Sequence, residues 1–262
     1  MIGIVGNGFV GNAVYQNFRD KTKCKVYDVD KNRSLNSLGD VINSDFIFVC
    51  LPTPMRYGGE CDLSILDNFF EGLPDHITGT FVIKSTVPVG TTKKYLERHN
   101  VIHNPEFLTA RNAIKDFANS ERNIVGGDMD LCVDFVAMFE KFFPQIPSII
   151  TTSDESEAIK YFSNTFLAYK VAYFNKIYDF CPAVGMDYDV VCEGVTADSR
   201  IGKSHTKVPG IDNDRGFGGT CFPKDLNSLI VQMENLDVNA DMLKEVWKYN
   251  QQIRKVIDWP VT

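Results

Sequence analysis

No apolar run in this 262-residue chain approaches the roughly 20 residues that cross a membrane. The opening MIGIVGNG also lacks the basic start and long apolar core of an export signal. No Cys-x-x-Cys pair occurs among Cys24, Cys50, Cys61, Cys132, Cys181, Cys192 and Cys221, and seven is an odd number. Neither a disulfide framework nor a thiolate metal site follows, so the expectation is seven reduced thiols in a cytoplasmic protein. Histidine is scarce too: His76, His99, His103 and His205 show no metal-ligand spacing, and no metal is expected. Basic charge falls short, with 27 Lys and Arg against 34 Asp and Glu for a net charge of −7. That balance argues against a nucleic-acid partner. What remains is a globular composition, 44% hydrophobic and 23% charged, in a chain long enough for one large domain or two smaller ones.

The first residues are more specific. IGIVGNGFVGNAVYQNF sets Gly6, Gly8 and Gly11 in the spacing G-x-G-x-x-G between an apolar run and a helical pattern, with Val10, Val14 and Phe18 on one face. Gly6 permits the tight turn, Gly8 lets backbone approach a pyrophosphate, and Gly11 lets the helix pack against the strand. The helix N-terminus offers N–H groups and a positive dipole end to phosphate. Asp28, twenty residues after Gly8, ends a second apolar run. It is placed to accept from ribose hydroxyls and to repel a 2′-phosphate, which points to NAD rather than NADP. DFIFVCLPTP, GTFVIKSTVPVG, RNIVGG and PSIITT then read as strands, and TTKKYLERHN and LCVDFVAMFEKFF as helices. The alternation predicts an α/β, doubly wound parallel sheet of the Rossmann-like kind, with ligands at the carboxyl ends of the strands. Thr53, Ser85, Thr86 and the loop NPEFL (104–108) fall there.

The texture changes at TTSDESEAIKYFSNTFLAYKVAYFNKIYDFC, one long amphipathic helix with Thr152, Ser153 and Asp154 as competing N-caps and Pro182 and Gly185 ending it. The predicted division is an NAD-binding domain over 1–152 and a mainly α-helical domain over 153–262. Lys160 and Asn164 stand four apart on one helix face, while Phe162, Phe166 and Tyr169 crowd the same helix and leave little of it to face water. An ordinary lysine and asparagine pair is a solvated one; here the two could donate to a developing oxyanion. DYDVVCEGVTAD reads as a further helix, SRIGKSHTKVPGIDNDRGFGGTCFPKD as a long loop, and NADMLKEVWKYNQQIRKVI as a closing amphipathic helix. That last helix could pack within this chain or against a second copy.

Taken together, the glycine fingerprint, KSTVPVGT, NPEFL, KYFSNTFLAYK, DSRIG and GFGGTCFPKD resemble the UDP-glucose/GDP-mannose dehydrogenase family, in the family's order, from residue 1 to about 255. The resemblance implies a four-electron oxidation of a nucleotide sugar's C6 hydroxyl to a carboxylate with two NAD in succession. It makes Cys221 the nucleophile and Lys160 and Asn164 the oxyanion pair. Asp225 becomes the proton-handling partner, and Glu106 and Thr86 the groups that place water and hydrolyse a thioester. It adds Phe9, Val10 and Arg33 to a cofactor set with Gly6, Gly8, Gly11, Asp28, Thr53, Ser85 and Thr86. Substrate contacts fall on Phe107, Leu108, Lys160, Asn164, Phe217, Gly218 and Arg200, the last reaching across a homodimer. Ala110 and Arg111 stand where the family carries Glu-Gly. The family's further nucleotide-gripping domain would follow the closing helix. Either the central domain suffices without it, or another chain completes the site, or the sugar donor differs. Two rival readings remain: a two-electron hydroxyacid or sugar-phosphate dehydrogenase, which needs no cysteine, and a silent nucleotide-sugar binding protein.

Overall fold

In the computed structural model, residues 1–259 and 261–262 are described, and the chain forms two compact units. The first comprises Met1–Thr53 with Leu63–Lys160, the second Pro54–Asp62 with Tyr161–Thr262.

The first unit is built on strands β1 (Ile2–Val5), β2 (Cys24–Tyr27), β3 (Phe46–Val49), β4 (Thr80–Ile83), β5 (Val101–His103), β6 (Asn123–Gly127) and β7 (Ser148–Thr151). They lie in the order β2-β1-β3-β4-β5-β6-β7. The reversal at β1 is the switch point at which ligands bind in doubly wound sheets. Helices α1 (Phe9–Phe18), α2 (Leu38–Ile42), α3 (Ser64–Glu71), α4 (Ala113–Ala118) and α5 (Met129–Phe142) connect the strands. Successive strand residues serve opposite faces. Phe48 and Val82 join a core with Phe18, Phe135 and Phe139 of α1 and α5. Their neighbours Ile47, Val49, Phe81 and Ile83 join Leu66 and Phe70 of α3 on the other side. This two-sided burial is why the strands read as continuous apolar runs.

One pairing departs from the parallel expectation: β5 and β6 are antiparallel, with Ile102 opposite Gly127 and His103 opposite Gly126. Helix α4 lies between them, and after α5 the chain returns as β7, which pairs parallel with β6. TTKKYLERHN folds as a 3₁₀ turn, Thr92–Tyr95, rather than an α-helix.

Helix α6 (Ser153–Ala183) contains the division between the units, which falls after Lys160 rather than at its first residue. Its first two turns belong with the sheet because their side chains are bonded there. Glu157 accepts from Gly90 N (2.6 Å), Thr92 N (2.7 Å) and Thr92 Oγ1 (2.6 Å), and Ser156 Oγ lies 2.8 Å from His103 Nδ1. Thr152 settles the competition for the N-cap: its Oγ1 accepts from Glu155 N, and the Glu155 carboxylate takes Thr152 N at 2.9 Å, a reciprocal capping box.

In the second unit α6 packs with α8 (Phe222–Asn235) and α9 (Asp241–Ile253) through Tyr161, Ala168, Leu226, Leu229, Leu243 and Val246. Its C-terminal part packs with α7 (Tyr188–Thr196) through Phe174, Cys181 and Tyr188. The expectation that Phe162, Phe166 and Tyr169 shield this helix from water is reversed. They are 55%, 65% and 40% exposed, whereas Lys160 and Asn164 are buried. The apolar stripe that packs the helix is instead carried by Tyr161, Ala168 and Ala172.

Candidate active site

At the first unit's switch point the glycine turn is sterically enforced. Gly6 has φ +86°, and a Cβ on Gly11 would stand 1.8 Å from Gly6 O. A Cβ on Gly8 would meet nothing within 4 Å, and no side chain caps α1. The helix N-terminus is therefore left for an anion to approach, with half-buried Val10 and exposed Phe9 beside it. The Asp28 carboxylate accepts from Asn7 N (2.6 Å) and Asp30 N (2.8 Å), which fixes it at the end of β2. Arg33 carries the same turn: its carbonyl accepts from Asn7 Nδ2, while its guanidinium pairs with Asp30 at 3.4 Å. These residues fit NAD: a Gly-rich turn open at Gly8 for the pyrophosphate and a fixed carboxylate for the ribose.

The loops after β3 and β4 are tied together. Thr53 Oγ1 donates to Thr86 O (2.8 Å) and Ser85 Oγ to Leu51 O (2.6 Å). The hydroxyl of Ser85 is thus spent on loop geometry.

Beyond β5, Glu106 is buried, and its Oε2 accepts from Leu108 N at 2.6 Å. Lys160, 3% exposed, donates to Glu106 Oε1 at 3.2 Å and to the Glu106 carbonyl. The Phe107 ring takes two cations, Lys160 Nζ 5.2 Å from its centroid and the Arg122 guanidinium at 4.4 Å. A small cleft beside this loop is lined by Lys84, Asn104, Glu106, Phe107 and Arg122 among others. Lys84 opens the stretch KSTVPVGT. It is buried, donates to Asn104 Oδ1 at 2.8 Å, and burial pulls its pKa down to about 8. Ala110 and Arg111 lie exposed in a turn, and that turn is fastened by Thr109 N and Oγ1 donating to Asp116.

The second unit holds the thiol. Cys221 is the N-cap of α8, Pro223 stands in its first turn, and Asp225 N donates to Cys221 O at 2.9 Å. Asp225 is fully buried, its carboxylate accepting from Asn164 Nδ2 (2.6 Å) and Lys224 Nζ (2.5 Å). Burial works against the Lys224 ammonium, but Asp225, Cys61 and Cys221 around it outweigh burial and raise its pKa. A largely buried cation beside the thiol is what favours thiolate. Cys61 comes from the segment 54–62, where Met55 and Cys61 form an isolated antiparallel bridge. Tyr161, bonded to Ser228 Oγ at 2.9 Å, is pushed well above the ordinary phenol value by burial, then by Cys61 and Asp225.

The remaining substrate residues divide. Phe217 is buried, its ring packed in the unit's core, with N donating to Asn250 Oδ1 and O accepting from Asn250 Nδ2. Gly218 lies against Arg254 and Asp258. Arg200 has a side chain that is 88% exposed, its guanidinium forked onto Asp198 at 2.6 Å. Lys224 was legible as the residue before Asp225. Asn250 had a weaker signal, a polar residue continuing the buried stripe Leu243, Val246.

Residues 35–146 match the NAD-binding domain, and residues 154–252 the central domain, of the UDP-glucose/GDP-mannose dehydrogenase family. The UDP-glucose 6-dehydrogenase TuaD of Bacillus subtilis (strain 168) is 32% identical across 97% of this chain and 63% of its own length. A UDP-glucose 6-dehydrogenase of Rickettsia conorii is 32% identical across 91% of this chain and 56% of its own. The chain therefore spans between about half and three fifths of the length of the curated relatives it matches. The structure of a UDP-glucose dehydrogenase from Pyrobaculum islandicum superposes with a TM-score of 0.84 at 25% identity, covering 96% of this chain and 68% of that one. Two domain matches in succession along the chain, with relatives 32% identical over nearly its whole length, place this chain in the UDP-glucose/GDP-mannose dehydrogenase family.

Proposed function

We propose that the chain oxidises the C6 hydroxyl of a nucleotide sugar to a carboxylate, UDP-glucose to UDP-glucuronate in the first instance, consuming two NAD per substrate in the cytoplasm. The observation that supports this reading is the buried Asp225 carboxylate, held by Asn164 and Lys224 one turn into the helix that Cys221 caps. A two-electron dehydrogenase has no use for a thiol in that frame.

Bound NAD supplies a hydride acceptor for each oxidation. The chain's own residues handle the carbon between them. The Cys221 thiolate, favoured by the Lys224 ammonium, adds through sulfur to the aldehyde carbon, and the aldehyde oxygen takes the developing charge. Asn164 Nδ2–H and the Lys160 ammonium are the donors assigned to that oxygen. Oxidation of the adduct leaves a thioester. Water, held by Glu106 and Thr86 in this assignment, attacks its carbonyl carbon; the C–S bond breaks, sulfur leaves as thiolate, and Asp225 takes part in the proton traffic. Phe107 and Leu108 line the sugar, and Arg200 serves the partner copy of a homodimer.

The test is to offer the purified chain UDP-glucose, UDP-N-acetylmannosamine and GDP-mannose and to count NADH per substrate. Two NADH supports the proposal, and one moves the chain to the two-electron class. NAD binding without any NADH would leave it a binding protein. Cys221→Ser is expected to stall at or after the first oxidation with NAD binding unchanged, and a full NADH yield from it would remove the nucleophile role.

A further inference from the structure

The glycines before Cys221 invite the reading that they make room for a sugar. The geometry assigns two of them elsewhere. A Cβ on Gly216, whose φ is +67°, would stand 2.2 Å from Asn250 Oδ1. A Cβ on Gly218 would stand 2.1 Å from Arg254 Nη2. Both are cleared for side chains in or just after the last turn of α9, while at Gly219 a Cβ would meet nothing within 4 Å.

Asn250 and Arg254 lie one helical turn apart, so they present to the same loop. Asn250 is fully buried and grips a single residue twice, accepting from Phe217 N at 2.7 Å and donating to Phe217 O at 2.9 Å. That is the bonding a neighbouring strand would give, supplied by one amide side chain. Arg254 Nε donates to Val256 O (2.9 Å) and Nη1 to Arg215 O (3.3 Å). Its Nη2 reaches Asp212 (2.8 Å) and Asp258 (3.0 Å). Asp258 in turn accepts from Gly219 N at 3.0 Å. The backbone from Arg215 to Gly219 is thus fixed at four successive points, two residues short of Cys221.

We propose that Asn250 and Arg254 are positioning residues, setting the Phe217–Gly219 backbone so that Gly219 and Cys221 face the substrate. The proposal rests on the nucleotide-sugar reading for its substrate but not for its geometry. A side chain that only filled the core would need neither the paired bonds to Phe217 nor the cleared space at two glycines.

The experiment compares the full chain with Asn250→Ala, Asn250→Asp and Arg254→Lys. Three quantities are read: amide hydrogen exchange over 215–221, the iodoacetamide alkylation rate of Cys221, and KM against kcat for UDP-glucose. Asn250→Ala is expected to speed exchange at Phe217 at least tenfold and to raise KM at least tenfold, with the NAD dissociation constant within twofold of wild type. Asn250→Asp keeps the acceptor for Phe217 N and loses the donor to its carbonyl, so it should fall between. Arg254→Lys keeps the charge and loses the fork, and should loosen exchange at Gly219 while Phe217 stays protected. Unchanged exchange and KM in Asn250→Ala would overturn the proposal. So would equal losses of NAD and sugar affinity, the mark of a merely structural role, and an unfolded Asn250→Asp counts with them. If the wild-type chain oxidises no nucleotide sugar, the function fails alone, because exchange and alkylation still read the loop.

Discussion

Three glycines of one fingerprint do different work, and single methyl groups separate them. At Gly11 a Cβ would press on Gly6 O at 1.8 Å, so Gly11→Ala must push α1 off its turn. Overpacking of this kind costs about 1–3 kcal/mol, and urea unfolding should show it. At Gly8 a Cβ meets nothing. Gly8→Ala should therefore shift stability by less than ~1 kcal/mol, as a change at a helix N-cap. Its methyl stands where a pyrophosphate would approach, so NAD titration should show weaker binding with the folding midpoint nearly unmoved. If the two variants lost stability equally, the division of labour would be wrong. At this scale the sequence singles out a residue most readily where it stands in a dense motif, as Cys221, Asp225, Glu106 and Lys160 do. It was least legible where a polar side chain acts across a long stretch of sequence. Asn250 reaches Phe217 over 33 positions, and nothing local marks that bond.

Among the elements, the docking of α6 on the sheet is the most exposed to acid. His103 is fully buried, its Nδ1 against Ser156 Oγ and its Nε2 3.3 Å from Ser85 O, and burial pulls its pKa down to about 3 from the ordinary 6.5. Between those two values the unfolded chain binds the proton and the folded chain does not. Unfolding free energy therefore falls as pH drops through 6.5 toward 3, by up to ~5 kcal/mol at 1.36 kcal/mol per pH unit. His103→Gln, which does not titrate, should show a shallower loss. Urea midpoints at neutral pH and at two acidic values, taken for both proteins, check it; parallel curves would exclude His103 as the source. Element identity was readable where runs were long, as in α5 and α6. The three-residue β5 was too short to announce itself, and nothing in RNIVGG signals that β6 runs antiparallel. Strand direction is set by the path of the connection through α4, not by the residues of the strand itself.

For the whole molecule, the exposed face of α6 is the main feature left to explain. Phe162, Phe166, Tyr169 and Tyr173 recur at spacings of four, three and four, an aromatic ridge along one side of the helix with each ring at least 40% exposed. The proposed homodimer would cover this ridge with a second copy of the chain. The wild-type protein is expected to sediment as a dimer and Phe162→Glu/Phe166→Glu as a monomer. A monomeric wild type at micromolar concentration would overturn the homodimer. The two-part organisation was legible from the change of texture near residue 150, but the exact division was not. It depends on which side chains of one continuous helix find partners in which unit, and periodicity carries no trace of that.

The seven thiols behave very unequally. Burial pushes Cys50 up to about 12 and Cys24 and Cys132 up to about 11, so at neutral pH these three stay protonated. Cys181 is shut away entirely by packing. To an electrophile the folded chain offers Cys61, Cys192 and Cys221, and of these Cys61 and Cys221 share the field of one ammonium, Lys224. A covalent inhibitor aimed at Cys221 would find four of the other six thiols closed off by the fold, with Cys61 under the same ammonium to compete for the warhead.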